Sequence, residues 1–312
     1  MTLARRISQP VHSVIALATV FASAAVLVGC ATPSISTPQT LPVLNAAAAP
    51  PGPVADVAAR VQALLPLDAL LLGEQHDAPD HQRIHREVIE TLAARGALAA
   101  VVIEMAMQGN STASLVKSDS TAASEDVVRA ALKWNEQAWP WATYAPAIMA
   151  AVRAGVPVMG SNMPRAQMGA AMQQPDLDQR LNRPALKAQQ QLIRSGHCNL
   201  LPESQISPMT RIQIARDVAM ANVVVEAVEK AAQPGQVSAA KTVVLLAGSG
   251  HVDRKLGVPQ HLPAGMKSKS VLLVAGNALG SGDRAADFDV VWSAQAVPPQ
   301  DYCAGLKAKL PG

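Results

Sequence analysis

Continuous apolar runs alternate along this chain with stretches in which apolar residues recur every three or four positions. Short unbroken runs are typical of strands that are buried on both faces of a parallel sheet. The wider spacing predicts helices, most clearly where Ile214, Val218 and Ala221 recur. Strands are predicted at residues 69–72, 99–104, 156–160, 242–247, 270–275 and 289–292, and helices at 54–65, 79–95, 139–154, 185–194 and 208–230, with two short helices within 108–131.

This alternation of strands with helices predicts an α/β fold, in which a mostly parallel β-sheet carries helices on both faces. The 312 residues are 49% hydrophobic and 16% charged, which is enough apolar material for a large core. No internal repeat and no linker is evident after residue 54. We therefore expect residues 54–312 to form a single domain.

The N-terminus has the features of an export signal. Arg5 and Arg6 precede an apolar stretch at residues 14–28, which is short for a membrane span. The stretch leads into Gly29 and Cys30, which is similar to the lipobox of bacterial lipoproteins, where the cysteine is acylated. An ordinary secretory signal with a chance cysteine is the alternative.

On the lipoprotein interpretation, residues 1–29 are a signal peptide and Cys30 carries the lipid. Residues 30–53 are rich in Ala, Pro, Thr and Ser and are predicted to be a flexible tether. Acyl chains would hold the protein on a bilayer. Ala31 rather than an aspartate follows the cysteine, which by analogy favours the outer membrane, facing the periplasm or the surface.

The balance of charge argues against a nucleic-acid partner. Lys and Arg number 26, and Asp and Glu number 23. Removal of the segment with Arg5 and Arg6 would leave 24 basic residues against 23 acidic ones. A nearly neutral chain without basic clusters lacks the charge that phosphate backbones attract.

Polar side chains follow four of the predicted strands, at the point where each strand ends. Ligand sites in open parallel sheets gather at the carboxyl ends of the strands. We therefore expect one shared site at this edge of the sheet. Its members in chain order are Glu74, His76, Glu104, Asn162, Arg165 and His251.

Two of these strand ends share a Gly-x-x-His pattern, with Gly73 before His76 and Gly248 before His251. The glycine allows a tight turn from the strand, so that the imidazole faces the crevice. Together with Glu74 or Glu104, the two histidines could ligate a divalent metal ion. The sequence lacks a dense ligand motif such as HExxH, which weakens the metal interpretation.

His81 and His85 lie four residues apart and therefore on one face of the predicted helix. His81 is the stronger site candidate because it is nearer the strand end. The alternative is that both histidines are solvated at the start of an exposed helix.

The long predicted helix carries charges on its apolar face, at Arg216 and Asp217. Charged groups inside a buried helix are usually paired. Asp217 is expected to orient Arg165 or one of the histidines at the strand ends, and a surface ion pair is the alternative.

Aromatic residues make up only 3% of the chain, yet Trp134, Trp139, Trp141 and Tyr144 fall close together. This concentration predicts either a wall for a flat apolar ligand or a local core cluster.

Two cysteines, Cys198 and Cys303, remain after Cys30. Because an exported protein matures in an oxidising compartment, we predict a disulfide between them. Two buried free thiols are the alternative.

Several motifs together resemble the ChaN-like haem-binding lipoproteins, a family within a superfamily that includes the erythromycin esterases and the TraB and Tiki proteins. The motifs extend from residue 70 to residue 261. They are LLLGEQHDAPDH, VVIEM, WPWATYAPAIMAAVRAGVPVMGSNMPR, HCNLLPES, MTRIQIARDVAMA and LLAGSGHVDRKLGVPQHL.

The resemblance implies an erythromycin esterase/ChaN-like α/β fold and haem binding in haem or iron uptake. Haem in this family can sit between two subunits with tyrosine ligation, which implies a homodimer and an outer-membrane haem receptor as partners. Tyr144 is the only tyrosine in a matching stretch and is the candidate iron ligand. His76, His81 or His251 would assist, and Arg165 would pair with a propionate.

Distant relatives leave a periplasmic hydrolase as the alternative. Glu74 would then act as general base beside Glu104, and His76 and His251 would be metal ligands or proton carriers. Arg165 would stabilise an oxyanion. Whether the protein is an enzyme stays open at this point.

Overall fold

Within the described residues, six strands form one parallel sheet. The computed structural model describes residues 56–117, 123–232, 241–276 and 284–307. The predicted signal peptide, Cys30 and the tether lie outside these ranges. The order across the sheet is β3-β2-β4-β1-β5-β6. The strands are β1 (Ala69–Glu74), β2 (Leu98–Met107), β3 (Val158–Asn162), β4 (Thr242–Gly248), β5 (Ser268–Ala275) and β6 (Val290–Ala294).

Helices cover both faces of the sheet, as predicted for an α/β fold. On one face α1, α2, α4 and α5 pack on side chains such as Leu70 and Val101. On the other face α8 packs against Leu71, Val102 and Leu245. The helices are α1 (Val57–Leu64), α2 (Pro79–Ala94), α3 (Ala113–Lys117), α4 (Glu125–Leu132), α5 (Trp141–Arg153), α6 (Arg165–Met172), α7 (Arg183–Gly196), α8 (Glu203–Ala231) and α9 (Ala304–Lys307).

All six predicted strands are confirmed, although several extend beyond the predicted ends. Glu74 lies within β1 and Glu104 within β2, whereas the sequence placed both at or beyond the strand ends. Helix α6 was not predicted, because Ala171 is its only buried residue and it has no apolar stripe. No described helix has the length and apolarity that a membrane span requires.

The order of the strands brings three strand ends together. The chain forms β1, then β2 and β3, and α8 returns it so that β4 lies between β1 and β2. Glu74 pairs in register with Gly248, and Ile103 pairs with Leu246. The carboxyl ends of β1, β2 and β4 therefore form one edge, which the N-terminal half of α8 borders.

Candidate functional site

A cavity of about 520 Å³ opens at the carboxyl ends of β1, β2 and β4. We call it the rim cavity. Its walls are formed by acidic, basic and imidazole side chains and by the backbone of the segment that follows β4. Its lining residues are Glu74, Gln75, His76, Asp77, Glu104, Gln213, Arg216, Gly248, Ser249, Gly250, His251 and Tyr302.

Glu74 is the buried acceptor on the β1 side of this cavity. Its Oε1 accepts hydrogen bonds from His76 Nδ1 at 2.6 Å and from the Tyr144 hydroxyl at 3.0 Å. Its Oε2 accepts a hydrogen bond from Gln82. Burial alone would raise the pKa of Glu74, but the hydrogen bond from His76 and the charge of His76 hold it below its ordinary value. Glu74 is therefore a carboxylate whose oxygens are already occupied.

His76 is the accessible member of this group, with 41% of its side chain exposed. Its Nδ1 bonds to Glu74, and its Nε2 lies 4.0 Å from Glu104 Oε2. Partial burial would lower the pKa of His76, but the Glu74 hydrogen bond and the Glu104 charge raise it above its ordinary value. The Glu74 carboxylate fixes the orientation of the ring, as carboxylates that hydrogen-bond to metal-ligating histidines do.

Glu104 is the buried acceptor on the β2 side of the rim cavity. Arg216 Nη2 donates to its Oε1 at 2.5 Å, and the Gly248 backbone N–H donates to its Oε2 at 2.8 Å. Arg216 Nε also donates to Asn162 at 2.9 Å. Burial would raise the pKa of Glu104, but His251 and Arg216 hold it well below its ordinary value. One guanidinium therefore links the ends of β2 and β3 to α8.

His251 lies between two carboxylates. Its Nδ1 is 2.5 Å from Asp217 Oδ1, and its Nε2 is 3.4 Å from Glu104 Oε1. Burial would lower the pKa of His251, but the two carboxylates raise it to about 9. His251 is thus an imidazolium at neutral pH. Asp217 was expected to orient either Arg165 or a histidine at the strand ends. Its contact with His251 confirms the second role.

The two Gly-x-x-His glycines permit close contacts rather than tight turns. A Cβ at Gly73 would lie 2.4 Å from Val252 Cγ2, and a Cβ at Gly248 would lie 2.9 Å from His76 Nε2. Because both glycines lie inside strands, the small residue lets neighbouring segments approach the strand. The motif therefore positions His76 over β4.

The two histidines on α2 face the core rather than the cavity. His81 Nδ1 accepts a hydrogen bond from the Gln75 backbone N–H at 3.0 Å. This bond connects α2 to the loop after β1. His85 is fully buried, with its Nδ1 3.3 Å from Glu74 Oε2. Burial lowers the pKa of His81, and it lowers the pKa of His85 to about 4 despite the Glu74 charge. Neither imidazole is accessible to a cofactor.

This burial makes stability depend on pH. An unfolded histidine takes up a proton near pH 6.5, whereas folded His85 resists protonation until about pH 4. Its contribution to stability is complete above pH 6.5 and is lost as the pH falls towards 4. We expect His85 to contribute a loss of about 2 kcal/mol in the free energy of unfolding between pH 7 and pH 5. Urea denaturation at both pH values measures the total difference, which His85→Phe should reduce by about this amount. An equal loss in that variant would contradict the assignment.

The aromatic residues form a cluster beside the rim cavity. The Trp134 ring meets the Trp141 ring at 5.0 Å, and Trp139 meets Tyr144 at 5.8 Å. Trp139 also contacts the His76 ring edge-on at 4.9 Å. Because Trp141 and Tyr144 belong to the main core, the cluster is mainly structural. Trp139 is the member of the cluster that packs against His76, which lines the rim cavity.

The two tyrosines differ in accessibility. Tyr144, the predicted iron ligand, is 3% exposed, and its hydroxyl donates to Glu74. Burial and the Glu74 charge raise the pKa of Tyr144, so its phenol stays protonated. Tyr302 is 57% exposed and lines the rim cavity. This geometry argues against Tyr144 as a ligand and makes Tyr302 the available tyrosine, although Tyr302 lies outside the sequence motifs.

Arg165 does not join the other predicted site residues. It is exposed at the start of α6 and is not among the side chains that line the rim cavity. Arg216 occupies the cationic position instead. The sequence feature that indicates Arg216 is the pair of charged residues, Arg216 and Asp217, on the apolar face of α8. From the sequence, only Asp217 was expected to act in the site.

The predicted metal set of Glu74, His76 and His251 lines one cavity. No group of three or more His, Cys, Asp or Glu side chains in the described ranges is arranged to hold a metal ion. Glu74 contacts His76, Asp217 contacts His251, and Glu104 lies 3.4 Å from His251 Nε2 and 4.0 Å from His76 Nε2.

A second cavity of about 380 Å³ adjoins the rim cavity, with His76 and Asp77 common to both. We call it the α2–α5 cleft. Pro79, Ala142 and Pro146 supply apolar surface in this cleft. Its remaining lining residues are Gln82, Arg83, Arg86 and Thr143.

Comparison with known proteins identifies one family. The family model described as "Haem-binding uptake, Tiki superfamily, ChaN" matches residues 60–262. The matched range includes Glu74, His76, Glu104 and His251 but not Tyr302. A search of the curated proteins finds no match.

Two solved structures are similar to the chain. ChaN of Campylobacter jejuni, described with cofacial heme binding, is 22% identical, with a TM-score of 0.55 over 70% of this chain and 86% of that one. At this identity the likeness shows the fold. The type III effector HopBA1 is 16% identical over 78% of this chain and 94% of that one, and its TM-score of 0.46 supports no argument.

Proposed function

Because the chain belongs to the haem-binding uptake family that includes ChaN, in the Tiki superfamily, we propose that it binds haem at the carboxyl edge of its sheet. The resemblance to ChaN-like proteins found in the sequence is thereby confirmed as family membership. The proposal places haem across the rim cavity and the α2–α5 cleft, which share His76 and Asp77.

The observation that carries this proposal is the accessibility of two donor side chains at one cavity. Haem iron in proteins takes an imidazole or a phenolate as an axial ligand. His76 and Tyr302 are 41% exposed on the side chain and 57% exposed, respectively, and both line the rim cavity. His81, His85 and Tyr144 are buried. Bound haem would supply an iron that one or both accessible donors would hold.

The α2–α5 cleft suits the rest of the ligand. A porphyrin needs flat apolar surface, and its propionates need cations. Pro79, Ala142 and Pro146 provide the apolar surface. The cations are Arg83 and Arg86. Arg83 also pairs with Asp80 and Glu87, and 33% of its side chain is exposed. Its guanidinium charge can therefore attract a propionate.

The hydrolase alternative is less well supported by the same geometry. A general base needs an unoccupied lone pair near the reacting group. Glu74 accepts three hydrogen bonds, Glu104 is paired with Arg216, and His251 is held as an imidazolium. Arg165, expected at the oxyanion, is not at the cavity.

The proposal extends to the cellular setting that the sequence predicts. Acylation of Cys30 would anchor the domain to the outer membrane through the tether at residues 30–53. Haem bound there would be available for haem or iron uptake, with an outer-membrane receptor and a second copy of the chain as partners. These features rest on the lipobox and on family membership.

Hemin titration followed by visible absorption tests the proposal. We expect a saturable shift of the Soret band for the wild-type protein. Tyr144→Phe is the matched variant, because it removes a buried phenol and should leave the spectrum of the complex unchanged. The absence of a saturable shift in the wild type would overturn the proposal.

A further inference from the structure

The chain crosses the carboxyl edge of the sheet after β6. That strand is the outermost on its side, with β5 between it and β1. The Gln295 backbone N–H nevertheless donates to Asp80 in the first turn of α2 at 2.8 Å, and Tyr302 reaches Asp77 just after β1. Residues 295–303 therefore pass from the outer strand back to the strand end that carries His76. We call them the C-terminal strap.

Tyr302 is the point at which the strap meets the rim cavity. Its hydroxyl donates to Asp77 Oδ2 at 2.7 Å and accepts a hydrogen bond from Gln75 Nε2 at 3.0 Å. The ring remains largely exposed and lines the cavity that His76 also lines. The side chain thus stands at the mouth of the cavity and leaves one surface free for a ligand.

The disulfide fixes this end of the strap. Cys303 follows Tyr302 directly and is bonded to Cys198, which follows α7, across a sequence separation of 105 residues. The predicted disulfide is therefore confirmed. Exposed hydrogen bonds such as those of Tyr302 add little net stability by themselves. The covalent link is what limits the conformational freedom of the segment.

We propose that the disulfide-held strap is part of the ligand site and makes haem affinity depend on the oxidation state of Cys198 and Cys303. The strap closes the mouth of the rim cavity and holds Tyr302 against the bound ligand. Two-electron reduction by a dithiol breaks the S–S bond and gives two protonated thiols, while the dithiol becomes a disulfide. The freed strap then no longer confines Tyr302.

This inference rests on the proposed haem binding. The strap begins at residue 295, beyond the family model, which ends at residue 262 and includes Cys198. The disulfide therefore ties a segment outside the matched range to the matched range. The ligand keeps its other contacts at His76 and in the α2–α5 cleft when the strap is free.

The test compares hemin titrations of the oxidised wild-type protein, a Cys198→Ser/Cys303→Ser variant and Tyr302→Phe. The serine variant avoids free dithiol, which would itself react with haem. We expect hemin affinity to fall about tenfold in the serine variant and about fivefold in Tyr302→Phe, the size of one or two net hydrogen bonds. Amide hydrogen exchange of the ligand-free proteins should be faster at residues 74–78 in the serine variant and unchanged in β4.

The outcomes separate the two proposals. If the wild type binds hemin and both variants bind it equally well, the strap is not part of the site and the inference is overturned. If the wild type binds no hemin, the proposed function fails and the inference falls with it. If the serine variant loses protection in β4 as well, it has unfolded. Tyr302→Phe, which keeps the disulfide, then decides.

Discussion

Replacement of His76 by alanine is expected to weaken hemin binding by about 100-fold, because loss of an outer-shell partner alone typically costs 10- to 100-fold in metal affinity. His76 lies where the rim cavity and the α2–α5 cleft meet, and Glu74 holds its Nδ1 at 2.6 Å. The variant removes both the accessible imidazole and a wall shared by the two cavities. Titration at the Soret band measures the change in Kd.

His261→Ala is the matched control for this variant. His261 ends a short 3-10 helix and lines neither cavity. Its removal should leave hemin affinity unchanged. Equal affinities for wild type and His76→Ala, with both proteins folded, would show that His76 does not contact the ligand.

Replacement of Arg216 by methionine is expected to lower the free energy of unfolding by about 3 kcal/mol, the usual cost of breaking a buried ion pair. Arg216 donates to Glu104 and to Asn162 and so joins α8 to the ends of β2 and β3. Without it, the buried Glu104 carboxylate keeps His251, the Gly248 N–H and the more distant His76 as partners. Urea denaturation measures the loss.

A surface arginine provides the comparison. Arg194 pairs with Glu203, which is 76% exposed on its side chain, so Arg194→Met should change stability little. If both methionine variants unfolded at the same urea concentration as the wild type, the Glu104–Arg216 pair would not be the link between α8 and the sheet.

The strands could be located from the sequence because β1 and β4 are buried along their whole length. Unbroken apolar runs are the direct consequence of burial on both faces. Helix α6 could not be located, since most of its side chains face solvent and its apolar positions do not form a stripe. The end of β1 was misplaced because the buried Gly73 and Glu74 continue the strand, and the end of β2 was misplaced because the strand continues past Glu104 to Met107.

The site residues that follow strand ends could be predicted from the sequence. The site residues that reach the cavity through tertiary contacts could not. The strand-end residues Glu74, His76, Glu104 and His251 come together as expected for a parallel sheet. Arg216, not Arg165, is the arginine that lines the rim cavity, because α8 passes the strand ends.

The choice of tyrosine also depended on tertiary structure. Tyr144 faces inward on α5, where its hydroxyl donates to Glu74. Tyr302 is far from the motifs in sequence, and the strap with its Cys198–Cys303 disulfide brings it to the cavity. Local sequence patterns do not encode either placement.

The most direct test of haem binding at the carboxyl edge is an NMR experiment in which paramagnetic ferric hemin broadens nearby amide signals. Broadening is expected at Gln75, His76, Gly250 and Tyr302, around the rim cavity. An apolar groove of about 330 Å³ lies at the opposite edge of the sheet, beside Leu98 and Val156. Broadening centred on that groove, or none at all, would contradict the assignment of the haem site.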